Sequence, residues 1–164
     1  KNLALIEAKS PEVYAAKIWL ADQYFNSVTN RLTAEKIYQE VASETNCPPY
    51  LRHRSQLMAG RAAMVRQGYD DAKKSFVALL NNKEVSGPER NQATFALGDL
   101  IMFELKSSPV NSPQAEKIQK ETIHQSTNTL FGLTQIAQTN RVAARAWGRI
   151  GDISLMVAHK RESY

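Results

Sequence analysis

The sequence predicts an all-α fold, a superhelical stack of antiparallel helix pairs with about seven helices in total. Two observations support this prediction. Apolar residues recur at the three- and four-residue spacing of amphipathic helices, and a column of small residues recurs along the chain, formed by Ala21, Gly60, Gly98 and Gly151. In addition, no stretch alternates apolar and polar residues with the β-branched enrichment typical of strands.

The small-residue column belongs to a longer internal repeat. Its members are 39, 38 and 53 residues apart, and a second column repeats at 38 residues, with the pairs Ala34 and Ala72, Tyr38 and Phe76, and Val41 and Leu79. The long third spacing indicates an insertion at residues 106–121. Four imperfect copies in one repeat domain over residues 1–164 are therefore predicted, at residues 10–48, 49–87, 88–139 and 140–164, the last incomplete.

Each copy is expected to contain two helices. In the first copy, Ser10 is a candidate N-cap and Pro11 the first helical residue, and Ser112 with Pro113 repeats this signal in the third copy. In the second copy, an apolar face that includes Leu57 is followed by a turn at residues 67–70 and by a second apolar face that includes Phe76. The copies are thus predicted to be helical hairpins.

Gly60 lies inside a predicted helix, where a glycine costs roughly 1 kcal/mol relative to alanine. Close packing of two helices explains it, because a large side chain at their crossing would push the axes beyond the usual separation of about 8 to 10 Å. Gly60 and Ala72 are expected to meet at this crossing, with Phe76 filling the space beyond. The segment lacks the clustered glycines and the Gly-Lys-Ser/Thr ending of a phosphate-binding loop.

This arrangement resembles the tetratricopeptide repeat family, in a divergent form that covers roughly residues 10–164. The resemblance rests on the small-residue column, on Ala72 and Phe76, and on Trp147, four residues before Gly151. The segments "LADQY", "LGDLI" and "IGDIS" are similar to those of bacterial cell-envelope members of the family. This resemblance favours a location in the periplasm or cell envelope over the cytoplasm. The family implies a protein-binding scaffold, although the lysine and asparagine set that clamps a terminal carboxylate in chaperone-binding members is missing.

Both ends of the sequence resemble interrupted repeats. "KNLALIEAK" reads as the end of a helix from an earlier copy, and "HKRESY" aligns with "RQGYDDA" of the second copy, so the chain is expected to be a fragment of a longer protein. No apolar stretch approaches the roughly 20 residues of a membrane span. The apolar segment within "KNLALIEAK" is shorter than that of a signal peptide and is followed too soon by charged residues.

The sequence offers no convincing catalytic, cofactor or metal site. Cys47 and His53 lack an orienting partner and an oxyanion donor, and the three histidines are too scattered for zinc. Asp22, Asp99 and Asp152 each follow the small-residue column, and structural ion pairs are expected for them. The prediction is therefore a non-enzymatic protein with no cofactor and no metal.

The net charge of +5 raises the question of a nucleic-acid partner. Arg141, Arg145 and Arg149 share a predicted helix face, and the residues Arg52, Arg54 and Arg61 form a second group. Charged residues make up only 23% of the chain, and no basic stretch is interleaved with base-stacking aromatics. A solvated helix face is preferred to a nucleic-acid contact.

In the resembled family, the first helix of each pair lines a concave groove. Transferred to this chain, the resemblance implies a groove rich in methionine and phenylalanine that would take an acidic amphipathic helix or an extended peptide. Its candidate partner-binding residues are Phe25, Arg54, Leu57, Arg61, Met64, Phe95, Met102, Phe103, Arg145 and Met156.

Alternatives stay open at this point. The groove could be open or filled by the chain's own next helix. The chain could also be a helical accessory region of a larger enzyme that acts on the cell wall, or a basic nucleic-acid-binding domain.

Overall fold

The computed structural model describes residues 10–107, 113–136 and 141–162. These residues form seven α-helices and no β-strand, which confirms the all-α prediction. The helices are α1 (Pro11–Asn26), α2 (Arg31–Ser43), α3 (Pro49–Val65), α4 (Tyr69–Asn81), α5 (Gly87–Ser107), α6 (Pro113–Ile136) and α7 (Arg141–Glu162), with a short 3-10 turn at Val28–Asn30. No described helix combines the length and apolar composition of a membrane span.

Three helices begin at a proline. Pro11, Pro49 and Pro113 are the first residues of α1, α3 and α6, because proline has the helical φ angle built in and loses no hydrogen bond at this position. Ser10 takes the extended backbone of an N-cap, and its carbonyl accepts the first helical bonds, but its side chain makes no capping bond. Of the predicted insertion at 106–121, residues 108–112, which include Ser112, lie outside the described residues. Residues 106–107 end α5, and the part from Pro113 onward belongs to α6.

The chain divides into two compact units, Lys1–Arg90 and Asn91–Tyr164. In the first unit, α1 packs on α2, α2 on α3 and α3 on α4, and α1 also contacts α3. In the second unit, α6 packs on α7. The predicted copies at 10–48 and 49–87 correspond to the pairs α1 with α2 and α3 with α4, while α5 and α6 fall within 88–139 apart from the start of α5.

The 38-residue spacing is reflected in the core of the first unit. Ala34 and Ala72 are fully buried, as are the aromatic pair Tyr38 and Phe76 one turn later. Val41 and Leu79 are buried as well. Equivalent positions of α2 and α4 therefore face apolar surroundings, as the repeat predicts.

The small-residue column occupies two kinds of surroundings. Ala21 and Gly60 are buried, and a Cβ atom added to Gly60 would lie 2.5 Å from Cε1 of Phe76, so the ring of α4 rests directly on this glycine. Gly98 is buried against Arg149 and Leu130. Gly151 is exposed, and an added Cβ would meet nothing within 4 Å. The expectation of a matching helix contact is therefore wrong at Gly151, because no described helix covers that side of α7.

In the turn between α3 and α4, the residue with a left-handed backbone conformation is Gln67, one residue before Gly68. Gln67 has a φ of 66°, while the amide of Gly68 donates to the carbonyl of Ala63 and that of Gln67 donates to Met64. This is the hydrogen-bond pattern of a Schellman motif. A Cβ at Gly68 would meet the guanidinium of Arg66, which is the far end of a flexible side chain.

The core of the second unit lies between α5, α6 and α7. Its buried members are Phe95, Ile101, Leu130, Leu133, Ala146 and Ile153. Met102 and Met156 pack against this cluster while keeping part of their surface accessible. Packing in this cluster fixes the positions of α5 and α7, the two helices that carry several of the predicted partner-binding residues.

Candidate recognition surface

The aspartate that follows the small-residue column forms an ion pair in each described instance. Asp22 of α1 accepts a hydrogen bond from Arg54 of α3 at 2.7 Å and another from the hydroxyl of Tyr38 at 2.5 Å. Burial, followed by this hydrogen bond to Asp22, raises the pKa of Tyr38. The contact joins three helices of the first unit, as the prediction of structural ion pairs requires.

The same motif occurs in the second unit. Arg149 of α7 pairs with Asp99 of α5 at 2.5 Å and with Asp152 of its own helix at 3.4 Å. Its Nη1 also lies 3.2 Å from the sulfur of Met102. The predicted ion pairs are therefore confirmed for Asp22, Asp99 and Asp152.

Arg145 lies one turn before Arg149 on α7, with its guanidinium 4.4 Å from the centre of the Phe95 ring of α5. The contacts Phe95 with Arg145 and Asp99 with Arg149 advance by four residues along both helices in the same sense. Here α5 and α7 therefore run side by side in the same direction. Met102 and Met156 continue these two faces beyond Arg149. We call this surface, formed by Phe95, Asp99, Met102, Arg145, Arg149 and Met156, the α5/α7 ladder.

The predicted partner-binding residues of the first unit differ in accessibility. Leu57 is buried and offers no surface to a partner. Phe25 is half-buried against the apolar core, and Arg54 is exposed but paired with Asp22. Arg61 and Met64 are half-buried, and Arg61 lies 3.8 Å from the sulfur of Met58.

In the second unit, Phe95 is 6% exposed and belongs to the core, so it supports Arg145 instead of contacting a partner directly. Phe103 is half exposed and Arg145 is exposed. Met102 and Met156 are partly accessible. The structure therefore brings together four of the predicted residues, Phe95, Met102, Arg145 and Met156, on or under the α5/α7 ladder.

Sequence reasoning missed a buried ion pair in the first unit. Glu35 of α2 is buried, and Arg66 donates to its two oxygens at 2.7 and 2.9 Å and to Asp71 at 2.5 Å. Gln39 adds a further hydrogen bond to Glu35. Because these partners lie 31 residues apart, no local pattern could have indicated the pair.

A second missed feature is an aromatic pair on the second unit. The rings of Phe131 on α6 and Trp147 on α7 meet edge to face, with centroids 5.7 Å apart and an interplanar angle of 84°. Both side chains are about half exposed. Helical spacing places Trp147 and Leu155 on one face of α7, but it does not indicate the contact with Phe131 of α6.

Cys47 and His53 are both buried and do not form a nucleophile and base pair. The sulfur of Cys47 lies 3.7 Å from the carbonyl oxygen of Pro48, and burial raises the pKa of its thiol. The His53 ring contacts Asn82 at 3.2 Å and Glu89 at 3.7 Å. Among the described residues, no three histidine, cysteine or carboxylate side chains cluster in the manner of a metal site.

Comparisons with protein-family models, with curated proteins and with solved structures found no match to this chain. The tetratricopeptide-like arrangement thus stays a prediction that rests on the repeat positions and on the helix contacts within each unit. Functional inference likewise depends on the surfaces that these contacts create.

Proposed function

We propose that this chain is a divergent tetratricopeptide-like scaffold that recognises a protein partner without catalysing a reaction. The observation that carries the proposal is Arg145, an exposed cation stacked on the ring of Phe95. No described carboxylate lies within ion-pair distance of Arg145. Its charge is therefore held in place and available to an acidic group of a partner.

Recurrent contacts between first helices support the tetratricopeptide-like part of the proposal. In each unit, the aspartate after the small residue pairs with an arginine of the first helix in the next predicted copy, Asp22 with Arg54 and Asp99 with Arg149. Such contacts require the first helices of neighbouring copies to lie beside one another. That neighbour relation is what a stack of helical hairpins produces.

The chemistry of the α5/α7 ladder suits an amphipathic acidic segment. Stacking on Phe95 restricts the Arg145 side chain before binding, which reduces the entropy lost when a carboxylate is bound. The net charge of +5 adds long-range attraction for an acidic partner. Arg149, in contrast, is already neutralised by Asp99 and Asp152, so Arg145 provides the charge selectivity.

Apolar affinity would come from the side chains at the other end of the ladder. Met102 and Met156 are partly accessible, and the neighbouring Phe103 is half exposed. Methionine is unbranched and polarisable, so these side chains adapt to partners of different shape. The proposed partner is accordingly a helix or peptide with acidic residues at one end and apolar residues at the other.

An affinity-capture experiment tests this function with the double variant R145E and F103S. Both side chains are exposed, so far-UV circular dichroism should show an unchanged helix content. A partner retained by the immobilised wild-type chain should bind the double variant at least about tenfold more weakly, a loss of about 1.4 kcal/mol.

The matched control is K36E, a charge reversal at an exposed position of α2 in the first unit. It should retain the partner at wild-type affinity in a titration with the purified protein. Equal affinity of the double variant and the wild type would contradict a role for the ladder.

A further inference from the structure

His53 of α3 is buried against the turn that joins α4 to α5. Its side chain is 4% exposed, and both nitrogens of the ring face polar groups from other elements. Nε2 lies 3.2 Å from Nδ2 of Asn82, the residue that follows α4. Nδ1 lies 3.7 Å from a carboxylate oxygen of Glu89 in the first turn of α5. One buried ring therefore links α3 to both ends of this turn.

The turn depends on the side chain of Asn82. Its Oδ1 accepts a hydrogen bond from the backbone amide of Glu84 at 2.9 Å, which is the pattern of an Asx turn. The backbone carbonyl of Asn82 accepts from the amide of Val85 at 3.3 Å and from the guanidinium of Arg90 at 2.8 Å. The main chain of Asn82 is thus held from two sides, and its side-chain amide is the part that is able to rotate.

These contacts determine which nitrogen of the neutral His53 ring carries the proton. A backbone amide only donates, so the atom of Asn82 that Glu84 contacts is the oxygen, and the NH2 group faces the ring. Nε2 must then accept a hydrogen bond from Asn82, which places the proton on Nδ1, on the side of Glu89. In the neutral state, donors therefore face acceptors at both nitrogens.

Protonation of His53 reverses this match at Nε2. Both nitrogens of an imidazolium are donors, so Nε2 then directs a hydrogen at the NH2 group of Asn82. A buried donor without an acceptor is unfavourable, and rotation of the Asn82 amide presents Oδ1 to the ring instead. The amide of Glu84 loses its acceptor in this rotation. At Nδ1, the new positive charge attracts the carboxylate of Glu89.

Glu89 is the carboxylate that faces the ring. It also accepts a hydrogen bond from the amide of Ser86 at 3.1 Å, and the amide of Glu89 lies 3.4 Å from Oγ of Ser86. The two residues therefore form a capping box at the start of α5, and a shift of Glu89 toward His53 also affects this helix start. The other charged side chains near the ring in sequence are Lys83 and Glu84 of the turn, Arg90 of α5, and Arg52 and Arg54 of α3.

These other charges are directed elsewhere or exposed. Lys83 and Glu84 are exposed to solvent. Arg90 donates to the carbonyls of Leu80 and Asn82, and Arg54 pairs with an aspartate of α1. The response of His53 to a proton is therefore set mainly by its two direct neighbours, one of which changes its hydrogen bonds while the other changes its distance.

We propose that His53 makes the turn between α4 and α5 responsive to pH. Histidine changes its charge between about pH 5 and 8. When the ring takes up a proton, the side-chain amide of Asn82 rotates, the amide of Glu84 is released, and Glu89 moves onto the ring. The first unit ends at Arg90, so acidification acts on its last segment. The proposal concerns the first unit and does not depend on the α5/α7 ladder.

An NMR titration of the full 164-residue chain from about pH 8 to pH 5 tests this proposal. The ring signals of His53 report its protonation, and the amide proton of Glu84 reports the hydrogen bond to Asn82. We expect the Glu84 amide proton to shift upfield, the direction that accompanies loss of a hydrogen bond. The midpoint of this shift should equal that of the His53 ring.

Two variants and a control separate this mechanism from a general effect of pH. H53Q introduces an amide that does not titrate, so the Glu84 shift should be lost. N82D replaces the NH2 group by a second oxygen, which accepts from the protonated ring while the first oxygen keeps the Glu84 amide. In N82D the ring should therefore titrate without the upfield shift. The matched control H124Q changes an exposed histidine of α6 and should retain the shift of the wild type.

The proposal is overturned if the His53 ring stays neutral throughout the titration, or if it titrates while the Glu84 amide of the wild type does not move. It is equally overturned if the upfield shift persists in N82D, because rotation of Asn82 would then not be its cause, or if H124Q abolishes the shift. The wild type and N82D decide the question between them, so the conclusion does not require H53Q to fold.

Discussion

Replacing Gly60 by leucine tests the contact on which the α3 and α4 pair depends. An ideal Cβ at this position lies 2.5 Å from Cε1 of Phe76 and 3.0 Å from Cδ1 and Cζ. Roughly 3.5 to 4.0 Å is the separation at which two carbons attract most strongly. Because Phe76 is fully buried, its ring has little room to move away, and the leucine must displace the helix pair.

The expected magnitude combines two opposing effects. Overpacking a buried site costs about 1–3 kcal/mol, and leucine falls near the upper end because its side chain extends well beyond Cβ. Removing a glycine from a helix interior returns about 1 kcal/mol. The net loss is therefore about 2 kcal/mol, and at about 2–4 °C per kcal/mol for a chain of this size the Tm should fall by about 4–8 °C.

The assay is thermal unfolding followed by circular dichroism, with G151L as the matched control. At Gly151 an added Cβ meets nothing, so the same substitution should keep or raise the Tm. The double variant G60L and F76A should be more stable than the sum of its single variants predicts, because leucine fills part of the space left by the ring. Equal shifts for G60L and G151L would refute the packing account of Gly60.

Two further predictions concern the polar contacts of the first unit. R66L leaves the buried Glu35 carboxylate without its cation and should lower the unfolding free energy measured in urea by about 2–3 kcal/mol. Adding E35Q to R66L should recover part of that loss. An unchanged unfolding free energy for R66L alone would contradict a buried ion pair. Y38F removes the bond to Asp22 and should cost about 1 kcal/mol near neutral pH. The folded pKa of Tyr38 is raised, so the contribution of its hydroxyl to stability is complete below about pH 10 and declines as the pH rises above that value. Urea titrations above about pH 10 should therefore show wild type losing stability more steeply than Y38F. Parallel losses in the two proteins would be inconsistent with this linkage.

Local steric rules and the repeat account for the part of the fold that the sequence predicts well. Proline restricts its own backbone, so the starts of α1 and α6 could be identified without knowledge of distant contacts. The pairs Ala34 with Ala72 and Tyr38 with Phe76 could be assigned to the core because two copies of one pattern reinforce each other. These inferences depend only on neighbours along the chain or on its periodicity.

The buried ion pair of Glu35 and the backbone conformation of Gln67 could not be predicted. The sequence around Glu35 predicts a solvent-exposed glutamate on α2, whereas the structure pairs it with Arg66 at the end of α3. The left-handed residue of the α3 to α4 turn is Gln67, although the adjacent glycine is the residue that sequence rules favour. The environment of Glu35 is set by a residue outside α2, which the local sequence does not reveal.

The candidate site was only partly predictable for a related reason. Helix α3 is buried on several sides, with Leu51, Leu57 and Ala62 all in the interior, so helical spacing alone does not separate residues that line a surface from residues that fill the core. The family resemblance predicts Leu57 at the groove surface, whereas the side chain is buried. Arg145 was assigned correctly to an accessible position, but its stacking on Phe95 required the register between α5 and α7.

The burial of Cys47 makes its thiol a natural probe of local unfolding in the first unit. It is the sole cysteine of the chain and lies in the apolar cluster of the first unit at 2% exposure. A small alkylating reagent gains access only when that cluster opens locally, so the labelling rate measures the frequency of opening. No engineered probe is needed to follow such fluctuations as temperature or bound partners change.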